Sequence, residues 1–119
     1  MMTVTLYGIK NCDTMKKAMS WLKDQGIDYV FHDYRKDGIT RAHLERWCAV
    51  WGWEAVLNRA GTTFRALPDE QKANLDTEAA IALMLAAPAM IKRPVLETPA
   101  PVQLGFKPDL YAAVFGRGE

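Results

Sequence analysis

The sequence predicts an α/β fold on a mixed sheet, with a β-α-β opening and a C-terminal hairpin plus helix, and a mostly helical insertion over about residues 40–87. Three patterns carry that expectation. The first 32 residues pass from alternating apolar residues to helical spacing and back to a β-rich run; the middle keeps helical spacing; two proline-marked apolar runs follow Pro88. Half of the 119 residues are apolar, enough for one domain spanning the whole chain to bury a core without staples.

Each element follows from its own residues. Thr3 to Tyr7 alternates Val4 and Leu6 with β-favouring Thr5 and Tyr7, and stops at Gly8, which reads as a strand ending in a loop. From Thr14, Met15, Ala18, Met19 and Leu22 recur at helical spacing until Gly26, so residues 14–25 read as an amphipathic helix, with Asn11, Asp13 and Thr14 all suited to its N-cap region. Ile27 to His32 is a second strand, and strand, helix, strand within about 30 residues predicts a right-handed parallel crossover.

Thr40 is a good N-cap for a helix that carries Leu44, Trp47, Cys48 and Trp51 on one core-facing side and ends at Gly52. Asp76 or Thr77 caps another through Ala79 to Leu85, while Gly61, Pro68 and Asn74 punctuate short helical pieces between them. Pro94-Val95-Leu96 and Pro101-Val102-Gln103-Leu104 predict an antiparallel hairpin that closes the sheet. Pro108 to Phe115 forms a last helix with proline at its start, and residues 116–119 read as a frayed tail.

Composition narrows the function. A formal net charge of +1 supplies no broad basic field, so nucleic acid is not an expected partner. The N-terminus lacks a basic region leading into a long apolar stretch, and no run approaches the roughly 18–20 apolar residues of a membrane span. The expectation is a soluble, cytoplasmic monomer. Cys12 and Cys48 lie far apart in sequence and there are two histidines, so neither a metal site nor a disulfide scaffold is expected, and a reducing compartment fits.

The chemistry concentrates in Gly8-Ile9-Lys10-Asn11-Cys12-Asp13-Thr14, which sets a thiol between a strand and the first turn of a helix. Free amides and the positive end of the helix dipole stabilise a thiolate there, drawing its pKa down from about 8.5. Lys10, Lys16 and Lys17 add positive charge. Such a thiolate attacks a disulfide, a sulfenic acid or an electrophilic oxyanion, and the same amides, with Asn11 and Thr14, can hold an anion beside it. The bland alternative is a small buried hydrophobe at a strand end. Cys12-Asp13-Thr14-Met15 is not C-x-x-C, so no resolving cysteine lies one turn on. Cys48 shares a face with Leu44 and Trp47 and reads as core; His32 and His43 read as a strand-end and a helix-surface residue. Arg59 and Arg93 are the candidate anion-binding arginines, Arg93 standing directly before Pro94.

The segment Tyr7-Gly8-Ile9-Lys10-Asn11-Cys12-Asp13-Thr14-Met15-Lys16-Lys17-Ala18 resembles the signature of the YffB-like branch of the arsenate reductase and Spx family. Tyr34 through Gly38-Ile39, Leu57-Asn58-Arg59, Ile91-Lys92-Arg93-Pro94 and Leu104-Gly105-Phe106-Lys107-Pro108 follow in the family's order, so the resemblance covers essentially the whole chain. It implies a thioredoxin-like fold with a helical insertion. It also implies that Cys12 is the nucleophile, that Arg93 binds an anion next to a cis-proline, Pro94, which faces the cysteine, and that Arg59 is a second anion-binding arginine.

Two features depart from the family's arsenate reductases. Lys107 stands where they carry a third arginine, and the Gly-Thr-Ser they show after the cysteine is missing. A lysine gives a point charge without the planar fork that grips an oxyanion. The expected activity is therefore a glutathione-dependent thiol or disulfide reductase related to arsenate reductases. Glutathione is its co-substrate, its carboxylates meeting Arg93, Lys107 and the helix amides, glutaredoxin is a candidate partner, and no bound cofactor or metal is expected. The contrasting expectation is an Spx-like module that grips RNA polymerase through exposed Trp51, Trp53 or their neighbours, without a C-x-x-C switch. A silent relative whose fold outlived its activity is the third.

Overall fold

The computed structural model describes residues 3–10 and 12–116. It divides into two compact units, one made of the two ends of the chain (up to Lys36 and from Arg93) and one of the inserted segment Asp37–Lys92.

The first unit is a four-stranded mixed sheet with helices. β1 (Thr5–Gly8) leads to α1 (Asp13–Asp24), β2 (Val30–Asp33) and the short α2 (Tyr34–Asp37), which runs into the insert. β3 (Val95–Glu97), β4 (Gln103–Leu104) and a C-terminal helix (Pro108–Val114) complete the unit. The strand order is β2-β1-β3-β4. β1 pairs in parallel with β2, Tyr7 opposite His32, and antiparallel with β3, Tyr7 opposite Val95. β3 pairs antiparallel with β4. This is the mixed α/β sheet of the thioredoxin-like class, with the parallel crossover and the closing hairpin where the sequence predicts them.

Alternation sorts the strand residues into two faces. Val4, Leu6 and Leu96 meet Met15, Ala18 and Leu22 of α1 and Tyr111 of the C-terminal helix in one buried cluster. Trp21 and Phe106 stand edge-on to the Tyr111 ring at 5.8 and 4.8 Å between centroids, and the Tyr111 hydroxyl donates to the Gly105 carbonyl at 3.1 Å. Those contacts fix the C-terminal helix against α1. On the opposite face Tyr7 and Val95 are buried as well.

The inserted unit is helical: α3 (Arg41–Trp51), α4 (Trp53–Val56), α5 (Thr62–Arg65), α6 (Asp69–Lys72), α7 (Thr77–Ala86) and a 3₁₀ turn, Pro88–Met90. With these named, the C-terminal helix is α8. Thr40 caps α3 in a reciprocal box whose return partner is His43: its Nδ1 accepts from the Thr40 amide at 3.2 Å, the place usually held by Glu or Gln. Asp76 caps α7, its carboxylate accepting from the Ala79 amide at 2.8 Å. Arg41 of α3 forms an ion pair with Glu78 of α7 and another with Glu45 at 2.8 Å. Leu44, Trp47 and Cys48 are buried as their spacing predicts, but Trp51 is 44% exposed. It shares their face but is the last residue of α3.

Gly8 sets how closely helix and strand approach. A Cβ at Gly8 would overlap the Met15 sulfur and lie 2.7 Å from its methyl carbon, and Met15 is buried in the close-packed core. Gly8→Ala is therefore expected to cost about 1–3 kcal/mol, the usual range for overpacking. A urea titration reads this as a lower midpoint at an unchanged slope; an unchanged midpoint would mean that Met15 repacks freely.

Candidate active site around Cys12

Four residues separate β1 from α1, and the last of them is Cys12. The sequence places Asn11, Asp13 and Thr14 in the N-cap region; in the structure the N-cap is Cys12 itself, in extended conformation (φ −102°, ψ 131°), and Asp13 opens the helix. No side-chain oxygen caps it. The seating of Met15 at Gly8 fixes the first turn and makes Met15 the N3 residue. Asn11 lies outside the described residues.

A side chain at the N-cap normally accepts from the amides two and three residues on, and here those are Thr14 and Met15. Cys12 is half-buried against the sheet core. Burial alone pushes its thiol up, but the Met15 amide, the Arg93 side chain and the Thr14 amide draw it down, and the guanidinium charge adds to them. The balance holds Cys12 below the ordinary thiol range. Cys48 contrasts with it: 9% exposed, pushed up by burial and by the charge of Glu54. Both cysteines are free thiols.

Arg93 lies two residues before β3. The Arg93–Pro94 peptide is cis, and it delivers the chain into Val95, the residue paired with Tyr7. Four further side chains follow. The Tyr7 hydroxyl donates to Glu97 Oε1 at 2.7 Å, and its ring lies 4.8 Å from that of His32. Tyr34, at the start of α2, is 1% exposed. Burial pushes its phenol well above the usual tyrosine range, Tyr7 and Glu97 push the same way, and the Arg93 charge opposes them.

Residues 7–114 match the ArsC family. The chain belongs to that family. Among solved structures it is similar to the YffB (PA3664) protein, at 63% identity and a TM-score of 0.91, over 93% of this chain and 97% of the other. A curated Haemophilus influenzae protein without an assigned function is 39% identical over 94% of this chain and 98% of its own length. An arsenate reductase of Rhizobium meliloti is 29% identical, over 98% of this chain and 89% of its own. The transcriptional regulator Spx of Streptococcus pneumoniae is 24% identical, over 96% and 86%. The ArsC family thus includes both arsenate reductases and Spx-type regulators among this chain's relatives.

Of the site residues predicted from sequence, the structure brings Cys12, Thr14 and Arg93 together, with the buried Pro94 beside Arg93. Lys107 is exposed, as N-cap of α8, in a turn tied to Pro94 by the Gly105 amide, which donates to the Pro94 carbonyl at 2.8 Å. Arg59 belongs to the inserted unit, where its guanidinium carbon lies 5.5 Å from the Trp53 ring centroid. Sequence reasoning missed Tyr34, Tyr7 and Glu97 as neighbours of Arg93. The signal available was alternation: once β1 and β3 are paired, Tyr7 falls on the same face as Val95, and Glu97 two residues further along.

Alkylation by iodoacetamide, followed by mass spectrometry residue by residue, checks the contrast between the two thiols. Cys12 is expected to react with a midpoint below about 8.5 and Cys48 slowly, with a higher midpoint. A thiolate stabilised by donors gains reactivity at lower pH, so Arg93→Ala should move the Cys12 midpoint upward and leave that of Cys48 in place.

Proposed function

We propose that this ArsC-family chain is a glutathione-dependent thiol reductase that uses Cys12 as its nucleophile. The observation that carries the reading is the convergence of the Met15 amide, the Arg93 side chain and the Thr14 amide on one half-buried sulfur. In the first step the Cys12 thiolate attacks a sulfur of a disulfide substrate; its S–S bond breaks, a mixed disulfide forms, and the displaced sulfur takes up a proton. In the second, the thiolate of a glutathione molecule attacks that mixed disulfide, restoring the Cys12 thiolate and carrying the substrate half, or the glutathionyl group, away as a disulfide. An external thiol suits a chain with no cysteine one helical turn from Cys12.

Recognition is assigned to charge. Glutathione carries two carboxylates, and Arg93, Lys107 and the amides at the start of α1 are the groups for them, with Thr14 and Pro94 beside the sulfur. Glutaredoxin is the protein that would recycle the adduct. Arsenate is the less favoured substrate because Lys107 offers a single point charge where arsenate reductases present a planar fork.

Incubation with glutathione disulfide is expected to give a glutathionyl adduct at Cys12 alone. Turnover of a small disulfide with glutathione, coupled to NADPH through glutathione reductase, should be lost in Cys12→Ser and stay near wild type in Cys48→Ser. Absence of both adduct and turnover would remove the reductase reading.

One observation favours a second reading, an Spx-like module for RNA polymerase. Val50 and Trp51 are 54% and 44% exposed at adjacent positions on α3, more apolar surface than a surface helix needs. Purified polymerase subunits are expected to pull down the wild-type chain and to lose it with Trp51→Ser if this reading holds; equal, background recovery of both would end it.

A further inference from the structure

The capping box of α3 carries a titratable ring where such boxes usually carry a side chain that stays uncharged or anionic at neutral pH. Its geometry fixes the state of that ring. The Thr40 amide donates to His43 Nδ1 at 3.2 Å, and an amide nitrogen cannot accept, so Nδ1 is a bare lone pair and the ring proton sits on Nε2. The Thr40 hydroxyl lies 2.8 Å from the same nitrogen and accepts from the His43 amide at 3.3 Å.

A proton on Nδ1 breaks this arrangement. The hydroxyl can turn and accept from the new N–H, but the Thr40 amide then faces another donor and loses its partner. The added charge also stands in the first turn of a helix, where the dipole is positive, and Arg46, three residues on, is a like charge on the same side of the helix. One contact works the other way: the Trp47 ring, 5.7 Å away between centroids, attracts a cation. The other charges on α3 and on the helices packed against it have their own tasks. Arg41 pairs with Glu45 and with Glu78 of α7, Asp76 accepts from the Ala79 amide, and Glu54 of α4 acts on Cys48 in the last turn of α3. Asp37, three residues before Thr40, is exposed.

Arg41 is the first residue of the turn that the box closes, and it ties α3 to the start of α7. We propose that His43 is a pH-sensitive latch on this joint. With Nδ1 bare, the box holds the first turn of α3 and keeps Arg41 on Glu78; a proton on Nδ1 opens the turn and loosens the pair. The unfolded chain has no box to give up and takes the proton more readily, so the latch's contribution to stability is complete above the histidine range and falls as pH drops through it.

Glutamine supplies the discriminating variant, because it accepts from the Thr40 amide in the same box without titrating. Urea unfolding of the full-length wild type and of His43→Gln is compared at about pH 7.5 and about pH 5.5, either side of the histidine range. On acidification the folding equilibrium constant of the wild type is expected to fall by about three- to tenfold more than that of the variant, the weight of one helix cap. Amide hydrogen exchange gives the local readout: protection of the Thr40 amide should drop at the lower pH in the wild type and hold in His43→Gln, with the Arg41 Nε resonance of the wild type shifting in step. Equal losses in the two proteins, Thr40 protection that ignores pH, or an Arg41 signal that stays still while the cap opens each overturns the latch. If His43→Gln does not fold, an NMR titration of the wild type decides: the Thr40 amide signal is expected to move together with the His43 ring, and independent behaviour of the two overturns the inference.

Discussion

The site depends on one pairing, that of β1 with β3. The two strands run antiparallel with Tyr7 opposite Val95, so the end of the first is brought to the beginning of the second. The chain leaves β1 at Gly8 and reaches Cys12 four residues later; it enters β3 through Arg93 and the cis Pro94. Residues separated by most of the sequence meet because a ladder permits one register. A slip by one residue would carry Tyr7 and Glu97 to the face now held by Leu6 and Leu96, burying a carboxylate in the apolar cluster, so the register is strongly enforced.

What happens at Cys12 is a contest between desolvation and donors, and magnitudes decide it. Burial disfavours a charged sulfur, but Cys12 is only half-buried, while hydrogen bonds to a charged acceptor contribute about 1.5–3 kcal/mol each. Two amides and a guanidinium outweigh partial burial. At Cys48 burial and the Glu54 carboxylate push the same way, and the balance tips toward the neutral thiol. The same residue type is thus reactive or inert according to what surrounds it.

Much of this could be read from the sequence. Periodicity located α1, α3, α7 and the closing strands, since each rests on local pattern and punctuation. Gly52 and Asp76 mark helix ends because only backbone freedom or a side-chain acceptor serves there. The cap of α1 was misplaced because propensity favours oxygen side chains at that position, whereas the seating of Met15 on Gly8, a tertiary contact, fixed the first turn. Trp51 was assigned to the core because spacing shows a face but not how far along the helix it is covered. Cys12 and Arg93 stood out as chemically apt, Arg93 through its place before a proline. Tyr34 did not, because its burial just after the end of β2 is a tertiary relation that local pattern does not contain.

The stabilised sulfur of Cys12 has one more consequence, in the language of reduction potentials. Whatever favours the free anion disfavours every state in which that sulfur is bonded to another, so a disulfide at Cys12 gives up its partner more readily than one at an ordinary thiol. The drive for that release is stored in the first turn of a helix.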